Sequence, residues 1–556
     1  MKVTKINLIF FITLIFIISI VLRWDYLGTL SEGHHQWGTA QFKLVVDNWI
    51  QDGIIESKFL RALIPSSVEY TNLLDRGLYV SYPIGVDVLI YFIKLIFKNT
   101  ETLILIHILN LFFQYFICIL IFSFVNKLKI KTDQKIINFF ALVASIAYIF
   151  LPIPFYYQFI AFGYDQAMVL TFIAILFLEL LIRTKNNNKY FIYQSIVFFI
   201  SGFFDYFSII LAASILLFRI IKPIKKFNLI KNLIQIILPI SIPFIFFIFQ
   251  LYQNNFLTIL YERFTYRTGV DFIAGNKNKT DYYSSFIFHF WVKKFHIYLP
   301  IIAISIYFLI KNYLIKKSKE LSYLIILIGF FACFFYAFAL QNLHAIHDYT
   351  TLKFYPLISI TFFALIPLEI IQSKNKKFKK IFLKKFVFSK LNLIKYVKYS
   401  TIIILIVIIL TDNLIRIIYY SEINKKENYI LYNSNIFKNT IFAQFPYPEV
   451  KDEIFLKKIK NISEFNDVYI SFTDIFVNLF PPQKLSITKK IITKISSEKE
   501  LYKKINSIPD KSNIKIIIYE KNLCKKLFKD NRQIIIDKKI ILYTNKSEFE
   551  KIKNCL

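Results

Sequence analysis

The strongest constraint on this chain is a series of uncharged apolar runs, each long enough to cross a membrane as a helix. Such a helix needs about 20 apolar residues. Hydrophobic residues make up 56% of the sequence, which excludes a soluble globular enzyme, a disordered protein and a collagen-like protein. The eleven predicted spans are 6–22, 102–125, 136–151, 166–182, 190–204, 206–221, 232–251, 296–310, 321–340, 352–372 and 399–418. The sequence therefore predicts an all-α polytopic membrane domain over residues 1–419.

The first run resembles a signal peptide, since Lys2 and Lys5 precede an apolar stretch. A cleavage site of small residues is lacking, and Arg23 and Asp25 follow directly, so we expect a retained helix.

Positive charge is distributed unevenly between the loops. The formal net charge is +33. Basic loops are 127–135, 183–189, 219–231, 311–319 and 374–398, and they alternate with neutral or acidic loops at 23–100, 152–165, the turn at Asp205, 252–295 and 341–351. The basic loops are expected in the cytoplasm. This predicts a multi-pass protein of the cytoplasmic membrane with a cytoplasmic N-terminus and an extracytoplasmic C-terminal tail. Anionic membrane lipid explains the charge without a nucleic-acid partner.

Two regions are predicted to lie outside the membrane on the extracytoplasmic side. The first is the long polar loop 23–100, in which the run 84–98 is expected to be a helix at the membrane surface. The second is the tail 420–556, predicted to be a small α/β domain. Its predicted strands are 467–471, 514–519, 533–536 and 539–543, and its predicted helices are 498–506 and 546–553. Cys524 and Cys555 in this tail are either a disulfide or two unrelated thiols.

Three polar clusters fall on the predicted extracytoplasmic face. Ionisable groups at membrane depth are costly and are therefore candidates for function. The clusters are Ser31–Gly38, with Glu32, His34 and His35; Phe162–Ala167, with Asp165; and Asn342–Tyr349, with His344, His347 and Asp348, followed by Lys353 and Pro356.

Each cluster also has a structural interpretation. Glu32 and Asp165 each stand where a carboxylate could cap a helix. His344 and His347 could form a hydrogen-bonded pair on one helical face. The Lys353 side chain could extend to the lipid headgroups.

These motifs resemble the GT-C superfamily of integral-membrane glycosyltransferases, in the family 39 branch of protein mannosyltransferases and bacterial aminoarabinose transferases. The resemblance covers roughly residues 1–370. The residues that carry it are Glu32-Gly-His-His-Gln-Trp37, Tyr82-Pro-Ile-Gly85, Asp165, His347-Asp-Tyr-Thr350 and Pro356. The chain departs from the family pattern at Ser31, where an Asp is usual, at Gly38, where an Arg is usual, and at Thr350, where a second Tyr is usual.

The resemblance implies transfer of a sugar, with inversion, from a polyprenyl-phosphate-linked donor to an acceptor hydroxyl in assembly of the cell envelope. The acceptor would be a glycan, a lipid or a protein. Glu32 or Asp165 would be the base or a metal ligand, and His347 and Lys353 would lie near the donor phosphate. The other substrate-binding residues would be His34, His35, Arg76, Tyr82, Asp348 and Tyr349. Dependence on a divalent metal stays open, with Glu32, Asp165 and His347 as candidate ligands.

Cations are also needed to stabilise the charge on a departing lipid phosphate. The basic residues expected on the extracytoplasmic side are Arg61, Arg76, Arg263, Arg267, Lys293, Lys294 and Lys353.

Two other functions are also typical of a chain with many spans and polar residues. A flippase or transporter for lipid-linked glycans would have helices interrupted by Gly and Pro and charges in mid-span. The chain has only 11 glycines, and its ionisable residues gather at the ends of spans. An O-antigen-type polymerase or ligase would concentrate polar residues in a late loop, whereas here the first loop is rich in them. The pattern favours a transferase.

Overall fold

The computed structural model describes most of the predicted membrane domain and five strands of the tail. The described residues are 5–22, 24, 27–28, 36–62, 82–128, 132–158, 165–185, 187–223, 228–268, 298–315, 320–341, 349–371, 467–471, 490–492, 513–518, 533–536 and 539–544.

Thirteen α-helices precede a final helical stretch in these residues. They are α1 (Lys5–Val21), α2 (Gln36–Asp52), α3 (Gly85–Ile96), α4 (Thr102–Lys127), α5 (Gln134–Phe150), α6 (Pro152–Tyr156), α7 (Asp165–Lys185), α8 (Asn188–Gly202), α9 (Phe207–Ile221), α10 (Leu229–Gln253), α11 (Leu257–Thr268), α12 (Tyr298–Ile315) and α13 (Glu320–Ala339). The final stretch, 349–371, begins with a 3₁₀ turn (Tyr349–Lys353), continues as α14 (Phe354–Ile360) and contains a π-helical turn (Thr361–Leu365).

Ten of the eleven predicted spans coincide with helices, and the eleventh, 399–418, lies outside the described residues. Five helices in the described part of the chain are long and apolar enough to cross a membrane. They are Thr102–Lys127, Gln166–Lys185, Leu229–Gln253, Leu321–Ala339 and Thr350–Ile371. Shorter apolar helices are Ile6–Val21, Gln134–Phe150, Phe207–Ile221 and Tyr298–Leu314.

The chain divides into two compact units. The first comprises residues 1–27, 109–159 and 164–445, and the second comprises residues 28–108, 160–163 and 446–556. Most of the first loop therefore belongs to the same unit as the end of the chain, whereas most of the predicted spans belong to the first unit. The predicted domain boundary at 419/420 lies outside the described residues and stays a prediction.

In the first unit, α13 packs closely between α7 and the final stretch. Gly329 makes this approach possible, because a Cβ there would lie 2.8 Å from Leu176 of α7 and 2.9 Å from Leu357 of α14. Both distances are shorter than a normal carbon–carbon contact. A larger residue at this position would push α13 away from its two neighbours.

A buried polar network joins four consecutive helices of the first unit. The Glu179 cluster consists of Glu179 (α7), Arg183 (α7), Gln194 (α8), Arg219 (α9) and Asn232 (α10). Glu179 accepts hydrogen bonds from Arg183 Nε at 2.7 Å and from Arg219 Nη2 at 2.5 Å. Arg219 also donates to Gln194 Oε1 and Asn232 Oδ1, each at 2.6 Å. Arg183 and Arg219 were interpreted from the sequence as parts of basic loops, but their side chains are buried in this network.

The second unit contains α2, α3 and a five-stranded sheet. Helices α2 and α3 pack against each other, and α3 exposes the apolar side chains of Leu89, Phe92 and Ile96, as expected of a helix at a membrane surface. The strands are β1 (Asp467–Ser471), β2 (Lys490–Ile492), β3 (Asn513–Ile518), β4 (Gln533–Ile536) and β5 (Lys539–Thr544).

The sheet has the strand order β2-β1-β3-β5-β4. Strand β1 runs parallel to β2 and β3, with Val468 paired to Lys490 and to Ile514. Strand β5 runs antiparallel to β3 and β4. The four predicted strands match β1, β3, β4 and β5 to within one residue, and β2 was not predicted. The predicted helices of the tail lie outside the described residues.

Candidate active site

An ion pair buried within the first unit contains one of the predicted site residues. Lys353 Nζ lies 3.0 Å from Asp205 Oδ2, and the two side chains are only 1% and 2% exposed. The Lys353 side chain therefore does not extend to the lipid headgroups, and that interpretation is wrong. A buried lysine of this kind is retained only with an anionic partner, which here is Asp205.

Asp205 is fixed in the short turn between α8 and α9. Its Oδ1 accepts a hydrogen bond from the backbone N–H of Phe207 at 3.2 Å and from the hydroxyl of Tyr336 at 2.8 Å. Its carbonyl oxygen accepts from the hydroxyl of Ser208 at 2.6 Å. The carboxylate is thus fixed by its own turn, by α13 and by the final stretch. We call Asp205, Tyr336 and Lys353 the Asp205 cluster.

Aromatic rings line the Asp205 cluster. The ammonium of Lys353 lies 5.4 Å from the ring centre of Phe207 and 5.0 Å from that of Tyr336, both within range of a cation–π interaction. The two rings pack edge to face at 5.3 Å, and Phe172 of α7 packs against Phe207 at 5.2 Å. The charged pair therefore lies in apolar surroundings, where electrostatic interactions are stronger than in water.

The turn that holds Asp205 lies between two helices that are short for membrane spans. Helices α8 and α9 have 15 residues each. At 1.5 Å per residue, each rises about 22 Å, less than the roughly 30 Å of the hydrocarbon core. If the other ends of both helices are at one membrane interface, the turn stops short of the opposite one. In that arrangement Asp205 holds a charge below the opposite membrane surface.

Asp165, a predicted catalytic residue, is the first residue of α7, but its side chain lies outside the described part of the structure. The 3₁₀ turn Tyr349–Lys353, which follows the polar cluster Asn342–Tyr349, packs against α7, the helix that begins at Asp165. Phe172 lies seven residues after Asp165, which is about 10 Å of helical rise. Asp165 thus begins its helix about 10 Å along the axis from Phe172, whose ring packs against Phe207.

Polar side chains inside α4 hold the segment that leads towards Asp165. Asn110 donates hydrogen bonds to the carbonyl oxygens of Tyr157 and Gln158 at 2.8 and 3.0 Å. Gln114 donates to the carbonyl of Pro154 at 2.8 Å. These carbonyl oxygens lie beyond the end of α5, so the backbone N–H groups of that helix cannot donate hydrogen bonds to them. The amides thus fix residues 154–158, which follow α5.

In the second unit, Arg61 has a structural role. Its Nε donates to Asp87 Oδ2 at 2.8 Å, and its Nη1 and Nη2 donate to the carbonyl oxygens of Tyr82 and Pro83 at 3.2 and 3.0 Å. Burial raises the pKa of Asp87 to about 6, although the charge of Arg61 and its hydrogen bonds act in the opposite direction. Arg61 thus joins the loop after α2 to the start of α3. Its guanidinium binds Asp87 and two backbone carbonyls and, contrary to the expectation from the sequence, is not available to a donor phosphate.

The structure describes only part of the predicted site. Tyr82 is buried, and its carbonyl accepts a hydrogen bond from Arg61. Tyr349 begins the 3₁₀ turn, but its side chain is not described. The other predicted residues, Glu32, His34, His35, Arg76, His347 and Asp348, lie outside the described residues.

The sequence interpretation missed Asp205 and Tyr336 as site residues. Asp205 was used only to assign a side of the membrane to its turn. The available signal was a carboxylate between two short apolar runs, since such a charge at membrane depth requires a partner. Tyr336 lies in a run of aromatic residues, and nothing in the sequence distinguishes it from its neighbours.

The described residues contain no group of three or more His, Cys, Asp or Glu side chains that could hold a metal ion. The candidate ligands Glu32, Asp165 and His347 are not among the side chains described, so metal dependence stays open.

No family model matches the sequence, and no curated protein does. Solved structures match it in fold. The aminoarabinose transferase ArnT from Cupriavidus metallidurans, bound to undecaprenyl phosphate, aligns with a TM-score of 0.57 at 8% identity, over 96% of this chain and 98% of ArnT. Its apo form aligns with a TM-score of 0.53 at 8% identity, over 97% of this chain and 98% of ArnT.

The archaeal oligosaccharyltransferase AglB from Archaeoglobus fulgidus, in complex with an inhibitory peptide and a dolichol-phosphate, aligns with a TM-score of 0.51 at 12% identity. The alignment covers 91% of this chain and 68% of AglB. This chain has the GT-C fold. Together with its apolar helices, the fold makes the chain a polytopic membrane protein, as the sequence predicted.

Proposed function

We propose that this protein is a GT-C glycosyltransferase that takes its sugar from a polyprenyl-phosphate-linked donor. The observation that carries the proposal is the agreement in fold over 96% of this chain and 98% of ArnT, a transferase whose structure contains undecaprenyl phosphate. AglB, with the same type of fold, was solved with dolichol-phosphate. The acceptor is a hydroxyl of a glycan, a lipid or a protein in the cell envelope.

The reaction takes place on the outer face of the cytoplasmic membrane. The alternation of basic and neutral loops supports this location, with eleven spans, a cytoplasmic N-terminus and an extracytoplasmic tail. In that orientation the Asp205 cluster lies in the outer half of the membrane and the Glu179 cluster in the inner half. The five strands between 467 and 544 belong to an extracytoplasmic α/β domain at residues 420–556.

The chemistry needs a base and a site for the departing phosphate. Glu32 or Asp165 removes the proton from the acceptor hydroxyl as its oxygen attacks the anomeric carbon. The bond between that carbon and the phosphate oxygen breaks, and the configuration inverts because the attack comes from the opposite side. The polyprenyl phosphate leaves with the bonding electrons, and Lys353 and His347 stabilise its charge. A divalent ion held by Glu32, Asp165 and His347 would supply further positive charge.

The remaining predicted residues orient the two substrates. His34, His35, Arg76, Tyr82, Asp348 and Tyr349 are assigned to substrate binding. Tyr82 is buried just before α3. It can therefore bind only a part of the sugar donor or of the acceptor substrate that reaches the loop held by Arg61 and Asp87.

The test begins in cells. A strain that lacks the protein should accumulate a lipid-linked sugar, and its mass identifies the donor. The purified protein should then transfer that sugar, and Glu32→Ala or Asp165→Ala should reduce the rate by about 100-fold or more while the protein stays folded. Full activity in both variants would contradict the assignment of the base. Movement of an intact lipid-linked glycan across a vesicle membrane without transfer would instead identify a flippase.

A further inference from the structure

We propose that Asp205 is the positioning residue of the donor site: it holds the ammonium of Lys353 below the membrane surface, where the polyprenyl phosphate headgroup binds. The proposal rests on the proposed function, because Lys353 is assigned to the donor phosphate there. Nothing in the sequence motifs or the fold comparison assigns a role to Asp205 or to its partner Tyr336.

The Lys353 side chain does not take the usual position of a lysine near the end of a span. Lys353 is the last residue of the 3₁₀ turn at the start of the final stretch. A lysine near the end of a span normally extends its flexible side chain to the headgroups. Here the ammonium lies 3.0 Å from Asp205, in an almost fully buried position. The ion pair with Asp205 therefore keeps the ammonium from extending to the headgroups.

The carboxylate of Asp205 is itself fixed in a position from which it can hold the ammonium of Lys353. Its turn lies between two 15-residue helices, so in the orientation proposed above the carboxylate is recessed from the outer membrane surface. Phe207 N–H and the Tyr336 hydroxyl fix its Oδ1, and Oδ2 faces Lys353. The carboxylate therefore occupies a defined position, and its negative charge is shared among three donors. This geometry holds the lysine in place and limits the repulsion of a nearby phosphate.

The surroundings of the ammonium indicate which kind of ligand it would bind. The rings of Phe207 and Tyr336 flank the ammonium, and Phe172 of α7 extends this apolar wall. An apolar wall beside a buried cation matches the chemistry of a lipid phosphate, which joins an anionic group to a hydrocarbon chain. The 3₁₀ turn also packs against α7, and Phe172 lies about 10 Å of helical rise from Asp165, the first residue of that helix and one of the two candidate bases.

The experiment measures how strongly the protein prefers a lipid phosphate to the corresponding alcohol. The full-length protein in detergent is titrated with undecaprenyl phosphate and with undecaprenol, and native mass spectrometry gives the two dissociation constants. Their ratio reports the contribution of the phosphate alone. A general loss of packing would weaken both ligands and leave the ratio unchanged.

The wild type should prefer the phosphate. Asp205→Asn should reduce this preference by about tenfold, because Lys353 loses the charge that holds it. Asp205→Glu, which keeps the charge, should retain most of the preference. A reversed pair, Asp205→Lys with Lys353→Asp, restores the ion pair but moves the ammonium to the turn between α8 and α9. It should fold and still lack the preference.

The outcomes separate two failures. A wild type that binds both lipids equally would overturn the donor assignment, and with it the proposed function. A wild type that prefers the phosphate, with an equal preference in Asp205→Asn, would overturn the positioning role alone. An equal preference in the reversed pair, which has no ammonium at position 353, would overturn both the positioning role and the assignment of Lys353 to the phosphate. If Asp205→Asn does not fold, the reversed pair decides, since its ion pair is retained.

Discussion

The two buried charge clusters of the first unit differ in how they are built. The Glu179 cluster joins four consecutive helices, and its longest ion pair, Glu179 with Arg219, spans 40 residues of sequence. The Asp205 cluster joins the turn between α8 and α9 to α13 and to the final stretch, and its bond to Tyr336 spans 131 residues. The first cluster stabilises a local helical bundle, and the second connects distant parts of the chain.

The two clusters also differ in charge. Glu179 faces two guanidinium groups, so its cluster carries a net positive charge, and amide side chains accept further hydrogen bonds from Arg219. Asp205 faces a single ammonium, and its cluster is neutral. Several hydrogen bonds fix each member of the Glu179 cluster, which suits a structural role. The Asp205 cluster holds one cation in an apolar setting, which suits a binding role.

The largest effect is expected from Glu179→Gln. This change leaves Arg183 and Arg219 buried without an opposite charge, which costs about 3–5 kcal/mol of folding free energy. Thermal unfolding in detergent, followed by size-exclusion chromatography of the soluble fraction, should show a large loss of folded protein. Lys189→Gln is the matched control, because Lys189 lies at the start of α8 but outside the network. If the two variants unfold at the same temperature, the Glu179 cluster does not hold α7 to α10 together.

A smaller effect on stability is expected from Lys353→Met, which removes the ammonium that neutralises the buried carboxylate of Asp205. We expect a loss of about 3 kcal/mol. Adding Asp205→Asn should restore most of this stability, because the pair is then neutral and Asn keeps an oxygen for Tyr336 and Phe207. The same strategy fails for Glu179, since neutralising it together with one arginine still leaves the other arginine charged.

The double variant also separates fold from function. Lys353→Met with Asp205→Asn should unfold near the wild-type temperature and yet lack the preference for undecaprenyl phosphate over undecaprenol. Wild-type preference in this stable variant would show that the Asp205 cluster is structural, like the Glu179 cluster.

The spans were predictable because length and apolar composition decide them locally. Ten predicted runs match helices, although their ends differ by a few residues where polar side chains cap or extend a helix. Asp133 and Asn187 are examples, since each accepts a hydrogen bond from a backbone N–H at the start of α5 or α8. Four strands were predictable for the same local reason, whereas β2, with three residues, was too short to recognise.

The contacts within the site were less predictable. Lys353 was predicted because it follows the polar cluster Asn342–Tyr349 at the start of a span, but its partner lies 148 positions earlier, in a turn that looked like a simple connection. Glu179 lay inside the predicted span 166–182. The pattern that marks it is the placement of Arg183, Gln194, Arg219 and Asn232 at matching ends of successive spans. Such pairings depend on the packing of helices, which a single sequence does not specify.

The smallest effect is expected from Tyr336→Phe. This change removes one hydrogen bond to Asp205 and keeps the ring that contacts Phe207 and Lys353. The loss in stability should be about 1 kcal/mol, because Phe207 N–H and Lys353 still fix the carboxylate. Tyr307→Phe, at an exposed position in α12, is the control and should leave the unfolding temperature unchanged. The preference for lipid phosphate should fall by only two- to threefold, which is what about half a kcal/mol produces. A loss as large as that of Asp205→Asn would mean that the tyrosine hydroxyl, and not the carboxylate, places the lysine.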